Sequence, residues 1–289
     1  MIRGTTQVVG VFGYPVRHSA SPALHNAAFH ALGLDIVYVP FTVAPDSIAA
    51  AVAGIRALGL RGVNVTVPLK ELIPPLMDSL TPRARALGAV NTIVNEDGHL
   101  RGDSTDGPGF LAALEYAGVI LRPGLHAVVL GAGGSARAVA YALAERGVRV
   151  TVANRTVERA QALCADFAAV GDLGAILLDE APLRAALQDA ELLVNTTSVG
   201  MSPRDAEMPP VPADTLHPGL FVSDLIYNPR ETRLFALARS RGCRTQNGIE
   251  MLIRQGALAF TQWTGVADPP LDIMRDAVVS ALSGSSRPG

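Results

Sequence analysis

A glycine-rich turn between an apolar strand and a helix lies near the middle of the 289-residue chain. The apolar run 128–130 ends at Gly131, and apolar residues then recur at helical spacing until Gly147. The spacing G-x-G-x-x-A is formed by Gly131, Gly133 and Ala136. Gly131 permits the turn, Gly133 lets backbone amides approach a pyrophosphate, and Ala136 lets the helix pack close to the strand. Turns in parallel sheets also use glycines for structural reasons alone. The pattern nevertheless favours a dinucleotide-binding unit with the phosphates at the helix N-terminus.

The residues that follow this helix favour NADP over NAD. A buried strand is predicted at 148–153, and it leads into Asn154, Arg155 and Thr156. An NAD enzyme usually has an acidic residue here that binds the ribose 2′-hydroxyl. The planar, permanently charged guanidinium of Arg155 suits a 2′-phosphate instead, and Arg159 is expected one helical turn away on the same face. The alternative is that both arginines are solvated residues at a helix start.

Composition and charge exclude several classes of protein. The chain is 49% hydrophobic and 17% charged, which allows one large core or two medium ones. A net charge of −2 argues against binding to nucleic acid or to a membrane surface. Two cysteines cannot form a disulfide framework, and neither has metal-ligand spacing. We therefore expect a cytoplasmic protein without a metal site that acts on small molecules.

The first part of the chain predicts a strand followed by a segment rich in hydroxyl groups. The strand is expected at 7–12, and Ser19 and Ser21 lie just before a helix. Ser21 followed by Pro22 predicts an N-cap with proline at the first helical position. Hydroxyl groups beside a helix N-terminus suit a small carboxylate. His25 is interpreted as a local hydrogen-bonding residue rather than as a catalyst.

A lysine is expected at the end of a strand of the same region. The alternating valines at 63–67 predict a strand with Asn64 and Thr66 on the opposite face, and Pro68 ends the strand. Lys70 follows, at the edge where ligands bind in open α/β sheets. The alternative is a solvated surface lysine.

A β-hairpin and an aspartate come next. Strands are predicted at 89–94 and 99–105, joined by a turn at Asp97-Gly98. Asp106 then either caps the following helix or contributes to a site. Further buried strands are predicted at 191–197 and 220–224, within an alternation of strands and helices typical of a Rossmann-type unit.

Motifs along nearly the whole chain resemble those of the shikimate/quinate dehydrogenase family. In family order they are Ser19-Ala20-Ser21-Pro22, Asn64-Val65-Thr66-Val67-Pro68-Leu69-Lys70, Gly88-Ala89-Val90-Asn91-Thr92, Thr105-Asp106-Gly107, the glycine-rich turn, Asn154-Arg155-Thr156, residues 195–201, residues 224–229, and Asn247-Gly248 with Gln255. The resemblance implies an α/β protein of two domains separated by a cleft. An α/β substrate domain would occupy 1–106 and 248–289, and a Rossmann-type NADP-binding domain 107–247. The implied reaction is the reversible reduction of 3-dehydroshikimate to shikimate by NADPH.

The resemblance also implies which residues form the site. Lys70 and Asp106 match the catalytic pair: a protonated lysine can neutralise and protonate the alkoxide that hydride transfer creates, while Asp106 holds the ammonium and accepts a substrate hydroxyl. The substrate positions are Ser19, Ser21, Thr66, Asn91, Asp106, Tyr227 and Gln255. The cofactor positions are Gly131, Ala132, Gly133, Gly134, Ser135 and Ala136 for the pyrophosphate, Asn154, Arg155, Thr156 and Arg159 for the 2′-phosphate, and Thr196, Thr197, Ser198, Val199, Leu225 and Gly248 near the nicotinamide. Thr196 and Thr197 could equally be β-branched strand residues.

One departure from the family pattern leaves substrate preference open. Ser104 stands where the family commonly has asparagine, and a hydroxyl reaches less far than an amide, which could alter the position of Asp106. The alternatives are a member that prefers quinate or an amino analogue, and a non-catalytic NADP-binding regulatory module. Retention of Lys70 and Asp106 speaks against the module. A monomer and a homodimer both remain open, and the tail from Ser283 is predicted to be disordered.

Overall fold

The computed structural model describes residues 2–284, and the chain forms two compact units that divide after Gly109 and after Met251. The first unit contains residues from both ends of the chain and the second contains the middle. Each unit is built on its own six-stranded sheet. None of the helices within the described residues is long and apolar enough to cross a membrane.

The elements up to the first division are short strands and helices. They are β1 (Gln7–Gly13), α1 (Ser21–Ala31), β2 (Ile36–Thr42), α2 (Ile48–Ala57), β3 (Gly62–Val65), β4 (Ser79–Leu80), α3 (Pro82–Leu87), β5 (Thr92–Glu96), β6 (His99–Asp103) and α4 (Asp106–Tyr116). The later elements are β7 (His126–Leu130), α5 (Gly134–Ala144), β8 (Arg149–Asn154), α6 (Val157–Asp166), β9 (Leu173–Leu177), α7 (Glu180–Leu187), β10 (Leu192–Asn195), β11 (Phe221–Asp224), α8 (Arg233–Ser240), β12 (Arg244–Gln246), α9 (Ile249–Thr264) and α10 (Leu271–Gly284).

The first sheet is mixed and has the strand order β2-β1-β3-β5-β6-β4. Strands β2, β1 and β3 are parallel, whereas β5 pairs antiparallel with β3 and with β6. Asp97 and Gly98 both have positive φ, of 52° and 94°, and they form the predicted hairpin turn between β5 and β6. The core beneath this sheet includes Ile55, Val63 and Ile93, which are fully buried.

The second sheet is parallel throughout and has the order β12-β11-β10-β7-β8-β9. Its first strand in sequence, β7, lies between β8 and β10, so that the strand order reverses there. This is the Rossmann arrangement, and ligands of such sheets bind at the carboxyl ends of the strands beside the reversal. The prediction of a Rossmann-type unit is confirmed.

Several predicted boundaries in the first unit are wrong. Strand β3 ends at Val65, so that Val67 is not in the strand and is 63% exposed. Strand β5 begins at Thr92 rather than at residue 89, because the backbone N–H of Val90 donates to the carbonyl of Lys70. The helix α10 includes Ser283, which contradicts predicted disorder at that residue, and residues 285–289 of the predicted tail lie outside the described residues.

Candidate functional site

Lys70 and Asp106 form a nearly buried ion pair in the first unit. Lys70 begins a short 3₁₀ turn (Lys70–Leu72) after β3, and Asp106 is the first residue of α4 after β6. Lys70 Nζ lies 2.6 Å from Asp106 Oδ2, and the two side chains are 11% and 6% exposed. Lys70 is therefore not the solvated surface lysine that its sequence also allowed.

The second oxygen of Asp106 is bound by Asn91, which immediately precedes β5. Asn91 Nδ2 donates to Asp106 Oδ1 over 2.8 Å and also lies 2.9 Å from Thr105 Oγ1 and 3.2 Å from Gln255 Oε1. Since both carboxylate oxygens accept from side chains outside α4, Asp106 makes contacts that a helix cap alone does not explain. Lys70, Asp106, Asn91 and Gln255 are thus brought together.

A glycine on α4 allows Gln255 of α9 to approach this cluster. A Cβ added to Gly109 would lie 2.6 Å from Gln255 Cβ and 2.7 Å from its backbone nitrogen. Such distances are far below van der Waals contact, so the two helices can pass this closely only because residue 109 lacks a side chain. Gln255 Nε2 donates to the carbonyl of Leu252, which leaves Oε1 facing Asn91.

Thr66, Ser19 and Ser21 lie in segments that follow β3 and β1, which are neighbouring strands. The backbone N–H of Thr66 donates to Phe12 O, and a Cβ on Gly13 would meet the Thr66 methyl group at 2.6 Å. Ser21 is the first residue of α1, and Ala20 is the N-cap, so the predicted capping role of Ser21 is wrong. The Ser19 hydroxyl instead accepts from the Ser21 backbone N–H at 3.3 Å. Both serines nevertheless lie at the N-terminus of α1.

Asp103 anchors the end of β6 and was not singled out from the sequence. It is 3% exposed, and its carboxylate accepts from Thr81 Oγ1 at 2.6 Å, Arg83 Nη2 at 2.9 Å and Gln262 Nε2 at 2.8 Å. Burial alone would raise the pKa of Asp103, but hydrogen bonds from Thr81, Ser104 and Arg83 and the charge of Arg83 together outweigh it and lower the pKa. The segment between Asp103 and Asp106, which includes the buried Ser104, is therefore fixed at its start.

His25 lies in an aromatic cluster near these residues. Its ring is fully buried and stacks on Tyr38 with centroids 4.4 Å apart, and on Phe29 and Phe260. Neither ring nitrogen has a partner at normal hydrogen-bond geometry, so the predicted hydrogen-bonding role of His25 is wrong. Burial lowers the pKa of His25 to about 3, against a smaller opposing effect of the nearby Asn64 side chain, and the ring is neutral near pH 7.

In the second unit, the loops after β7 and β10 pack against each other beside the reversal in strand order. Gly131 has φ of 109°, and a Cβ there would lie 2.7 Å from Thr196 Oγ1. Thr196 Oγ1 in turn donates to Leu130 O at 2.6 Å. Both the positive φ and the close approach exclude a side chain at residue 131.

The glycine-rich turn presents open backbone at the start of α5. A Cβ on Gly133 would meet nothing within 4 Å, whereas Ala136 is fully buried against the fold. Gly134 and Ser135 form the first turn of the helix, and Ala132 precedes it. N–H groups at a helix N-terminus are suited to a phosphate, which is the role expected of these residues.

Two arginines follow β8, at the neighbouring strand end. Arg155 and Arg159 are exposed, and neither forms an ion pair with a residue in the part of the chain that is described. Asn154 Nδ2 donates to the carbonyl of Thr156, which closes the turn into α6. Because α6 begins at Val157, Arg155 lies outside the helix, so the prediction of one shared helix face is wrong.

A buried amide and carboxylate join the loops after β10 and β11. Asn195 Nδ2 donates to Asp224 Oδ1 at 3.0 Å, and Asn195 Oδ1 accepts from the backbone and hydroxyl of Thr197. Burial raises the pKa of Asp224, although hydrogen bonds from Thr232, Ile226 and Asn195 oppose it. The predicted strand is too long, since β10 ends at Asn195; Thr196 and Thr197 are loop residues and not strand fillers.

The remaining expected cofactor positions lie in these loops. Val199 N donates to Thr197 Oγ1, and Ser198 Oγ accepts from Arg204. Gly248 packs directly on the backbone after β11, since a Cβ there would lie 2.0 Å from Leu225 O. Tyr227 is half-buried in the same loop as Leu225.

Four buried polar residues of the two sites were missed as functional residues: Asn64, Thr105, Asp103 and Asn195. What they share is a buried polar side chain in or shortly after the last residues of a strand, and burial of such a group requires hydrogen-bond partners. Within residues 2–284 no group of three or more histidine, cysteine, aspartate or glutamate side chains is placed to hold a metal ion.

Three family models match the chain in order. They are the shikimate dehydrogenase substrate binding domain at residues 11–93, shikimate / quinate 5-dehydrogenase at 122–230, and the shikimate 5'-dehydrogenase C-terminal domain at 248–279. A relative from Moorella thermoacetica named shikimate dehydrogenase (NADP(+)) is 50% identical over 288 residues, which are 99% of this chain and 97% of that protein.

Solved structures show the same similarity over nearly the full chain. A shikimate dehydrogenase crystallised in complex with NADP+ is 40% identical, has a TM-score of 0.91, and matches over 98% of both chains. The shikimate 5-dehydrogenase of Thermus thermophilus, solved with NADP(H) and shikimate, is also 40% identical. Its TM-score is 0.86, and the match covers 96% of this chain and 100% of that one.

Proposed function

This chain belongs to the shikimate dehydrogenase family, and from that premise we propose that it catalyses the reversible, NADP-dependent reduction of 3-dehydroshikimate to shikimate. The enzyme is accordingly an oxidoreductase that acts on a CH–OH group. Relatives over the full length carry this activity in their names, and the structural neighbour from Thermus thermophilus binds both NADP(H) and shikimate.

The observation that carries the proposal is the chemistry of position 70. Lys70 is the only lysine among the 24 basic residues of the sequence, so every other cationic position is an arginine. Arginine does not release its proton in proteins, whereas an ammonium can donate one and take it back. A chain that uses arginine elsewhere but lysine beside Asp106 therefore points to proton transfer at Lys70 rather than to charge alone.

The residues around Lys70 supply positioning and charge. In the reductive direction, bound NADPH supplies the hydride. Lys70 then stabilises the developing alkoxide and donates its proton from Nζ, while Asp106 orients the ammonium and accepts a ring hydroxyl. Asn91, Gln255 and Thr66 offer amide and hydroxyl groups that suit a polyhydroxylated ring.

The other assignments are part of the same proposal. Ser19 and Ser21 bind the substrate carboxylate, and Tyr227 completes the substrate positions. The turn from Gly131 to Ala136 holds the pyrophosphate of NADP(H), for which the open backbone at Gly133 leaves room. The 2′-phosphate is bound by Asn154, Arg155, Thr156 and Arg159, and the nicotinamide half by Thr196, Thr197, Ser198, Val199, Leu225 and Gly248.

We further infer that residues 1–106 with 248–289 form the substrate domain and 107–247 the NADP domain. The family models at 11–93 and 122–230 and the two compact units support this division. A cytoplasmic location remains a proposal, supported by two free, buried cysteines. No nucleic-acid partner is proposed at a net charge of −2.

The proposal is tested by supplying purified protein with 3-dehydroshikimate and NADPH. We expect loss of the NADPH absorbance at 1:1 stoichiometry with a product identified by NMR as shikimate. The Lys70→Ala protein, prepared in parallel, serves as the control for contaminating activity. NADPH oxidation that is equal in both proteins, or a different product, would contradict the proposed function.

A further inference from the structure

Tyr38 lies at one end of a series of buried hydrogen bonds that leads to Asp106. Its hydroxyl donates to Asn64 Oδ1 at 2.9 Å, and the residue is 1% exposed. The ring stacks on His25, and both backbone groups of Tyr38 are bound by the side chain of Asn26. The position of the hydroxyl is thus fixed from the ring side and from the backbone.

Asn64 and Thr92 continue the series in one direction. Because Asn64 Oδ1 accepts from Tyr38, its NH₂ group faces the other way and donates to Asn91 O at 3.1 Å and Thr92 Oγ1 at 3.2 Å. Thr92 has one hydroxyl hydrogen, and it donates to Asn91 Oδ1 at 2.9 Å. Asn64 and Thr92 are 6% and 0% exposed, so no water competes for these groups.

Asn91 is the last amide before the carboxylate. Its Oδ1 accepts from Thr92 and from the backbone N–H of Thr105 at 2.8 Å, so its Nδ2 faces Asp106 Oδ1. If the amide were reversed, its carbonyl oxygen would face Asp106 Oδ1, and that carboxylate oxygen would lose the Asn91 donor. Lys70 holds the other carboxylate oxygen.

We propose that Tyr38 is a positioning residue for the reaction: its hydroxyl fixes the amide orientations of Asn64 and Asn91 and thereby aligns the Asp106 carboxylate on Lys70. The hydroxyl bonds Asn64, and the series continues through Thr92 and Asn91 to the carboxylate. Hydrogen bonds in a low-polarity interior polarise one another, so the loss of one donor is felt along the series. The catalytic part of this inference rests on the proposed function.

The first test is the Tyr38→Phe protein, which keeps the stacked ring and removes only the hydroxyl. We expect kcat for shikimate oxidation to fall about 10-fold, the effect of one buried hydrogen bond, with the KM for NADP+ unchanged. Tyr116→Phe removes a hydroxyl from a ring that is 60% exposed and is the matched control, with wild-type kcat expected. A wild-type kcat in Tyr38→Phe would overturn the proposal.

A double-mutant cycle separates positioning from general loss of packing. Thr92→Val preserves the shape of the side chain and interrupts the series beyond Asn64, so it is expected to lower kcat by itself. In that background Tyr38→Phe should cause a much smaller further loss, because only the hydrogen bond from Asn64 to the Asn91 carbonyl still joins Asn64 to residue 91. If the fold-decrease in kcat of the double variant equals the product of the two single decreases, the effects are independent and the proposal is overturned. A wild-type kcat in folded Thr92→Val would also overturn it.

A readout without turnover uses the single lysine of the chain. Protein labelled with ¹⁵N and ¹³C lysine gives one side-chain signal, which reports on the Lys70 environment and therefore on Asp106. We expect Tyr38→Phe to shift this signal and Tyr116→Phe to leave it unchanged. An unshifted Lys70 signal in Tyr38→Phe would overturn the positioning role, whatever the activity of the wild-type protein. Failure of the wild-type protein to oxidise shikimate would instead overturn only the proposed function.

Discussion

Lys70 Nζ lies 2.6 Å from Asp106 Oδ2, and neither side chain exposes more than 11% of its surface. A charge pair removed this far from water depends on its partner, since either group alone would be a poorly solvated charge. Asn91 binds the remaining oxygen of Asp106. Hydrogen bonds and the ion pair therefore fix the relative position of the two groups, and proton transfer depends on such fixed positions.

Two replacements of Lys70 distinguish the effect of its charge from the effect of proton transfer. We expect Lys70→Ala to lower kcat for shikimate oxidation by about 10²- to 10⁴-fold, the usual range for general acid–base catalysis, with a much smaller change in KM. Lys70→Arg keeps the charge but cannot transfer the proton, so it should lose nearly as much. Steady-state kinetics decide the matter: a raised KM with an intact kcat would make Lys70 a binding group only.

Arg155 is expected to select NADP+ over NAD+. Loss of a charge-assisted hydrogen bond to the 2′-phosphate in Arg155→Ala should raise the KM for NADP+ about 10- to 100-fold and leave the KM for NAD+ nearly unchanged. Arg146→Ala removes another exposed arginine of the same unit and is the control. Equal changes of both KM values in Arg155→Ala would show that this guanidinium does not recognise the 2′-phosphate.

Two helical glycines of the first unit form a matched pair. Gly54→Ala places its methyl group in open space on α2 and should stabilise the protein by about 1 kcal/mol without a change in activity. Gly109→Ala would force α4 away from the backbone of Gln255, so we expect lower stability and weaker shikimate binding. Thermal unfolding and KM measurements on both proteins check this, and equal behaviour would refute the close helix contact.

His25 predicts a specific dependence of stability on pH. Its folded pKa of about 3 lies below the ordinary 6.5, so between these values the unfolded chain binds more protons and stability falls as the pH falls. The loss should be about 1.4 kcal/mol per pH unit, and His25→Phe should lack it.

The lone tryptophan, Trp263, lies 5.3 Å from the His25 ring between centroids and reports unfolding of the first unit by fluorescence. Denaturant titrations of the wild type and His25→Phe should give a constant difference in unfolding free energy between pH 7 and 8. Between pH 6 and 4.5 the unfolding free energy of the wild type should fall, relative to that of His25→Phe, by about 1.4 kcal/mol per pH unit. Parallel curves over the whole range would contradict a buried neutral histidine.

The order of the elements and the position of the glycine-rich turn were predictable because they depend on local patterns. Alternation of apolar residues and turn residues located β1, β7, β8 and the hairpin between β5 and β6. The ends of β3, β5 and β10 were less predictable. There the backbone bonds to distant residues instead of to the neighbouring strand, as in the hydrogen bond from Val90 N–H to the Lys70 carbonyl before β5.

The first-unit site was predictable only through the resemblance to a family. Nothing in the spacing of Lys70 and Asp106 indicates a contact across 36 positions of sequence. The supporting residues were less visible still, because Asn64, Thr92 and Asp103 act through hydrogen bonds that tertiary packing alone creates. The candidate catalytic groups are thus easier to predict from sequence than the groups that hold them in place.

The most direct test of the account is the initial rate of cofactor reduction by the purified protein with shikimate or quinate as substrate and NADP+ or NAD+ as acceptor. We predict strong turnover for shikimate with NADP+ and much weaker rates for the other three pairs. Preference for quinate or for NAD+ would contradict the substrate or the cofactor assignment respectively. No turnover with any pair would contradict the catalytic function of Lys70 and Asp106.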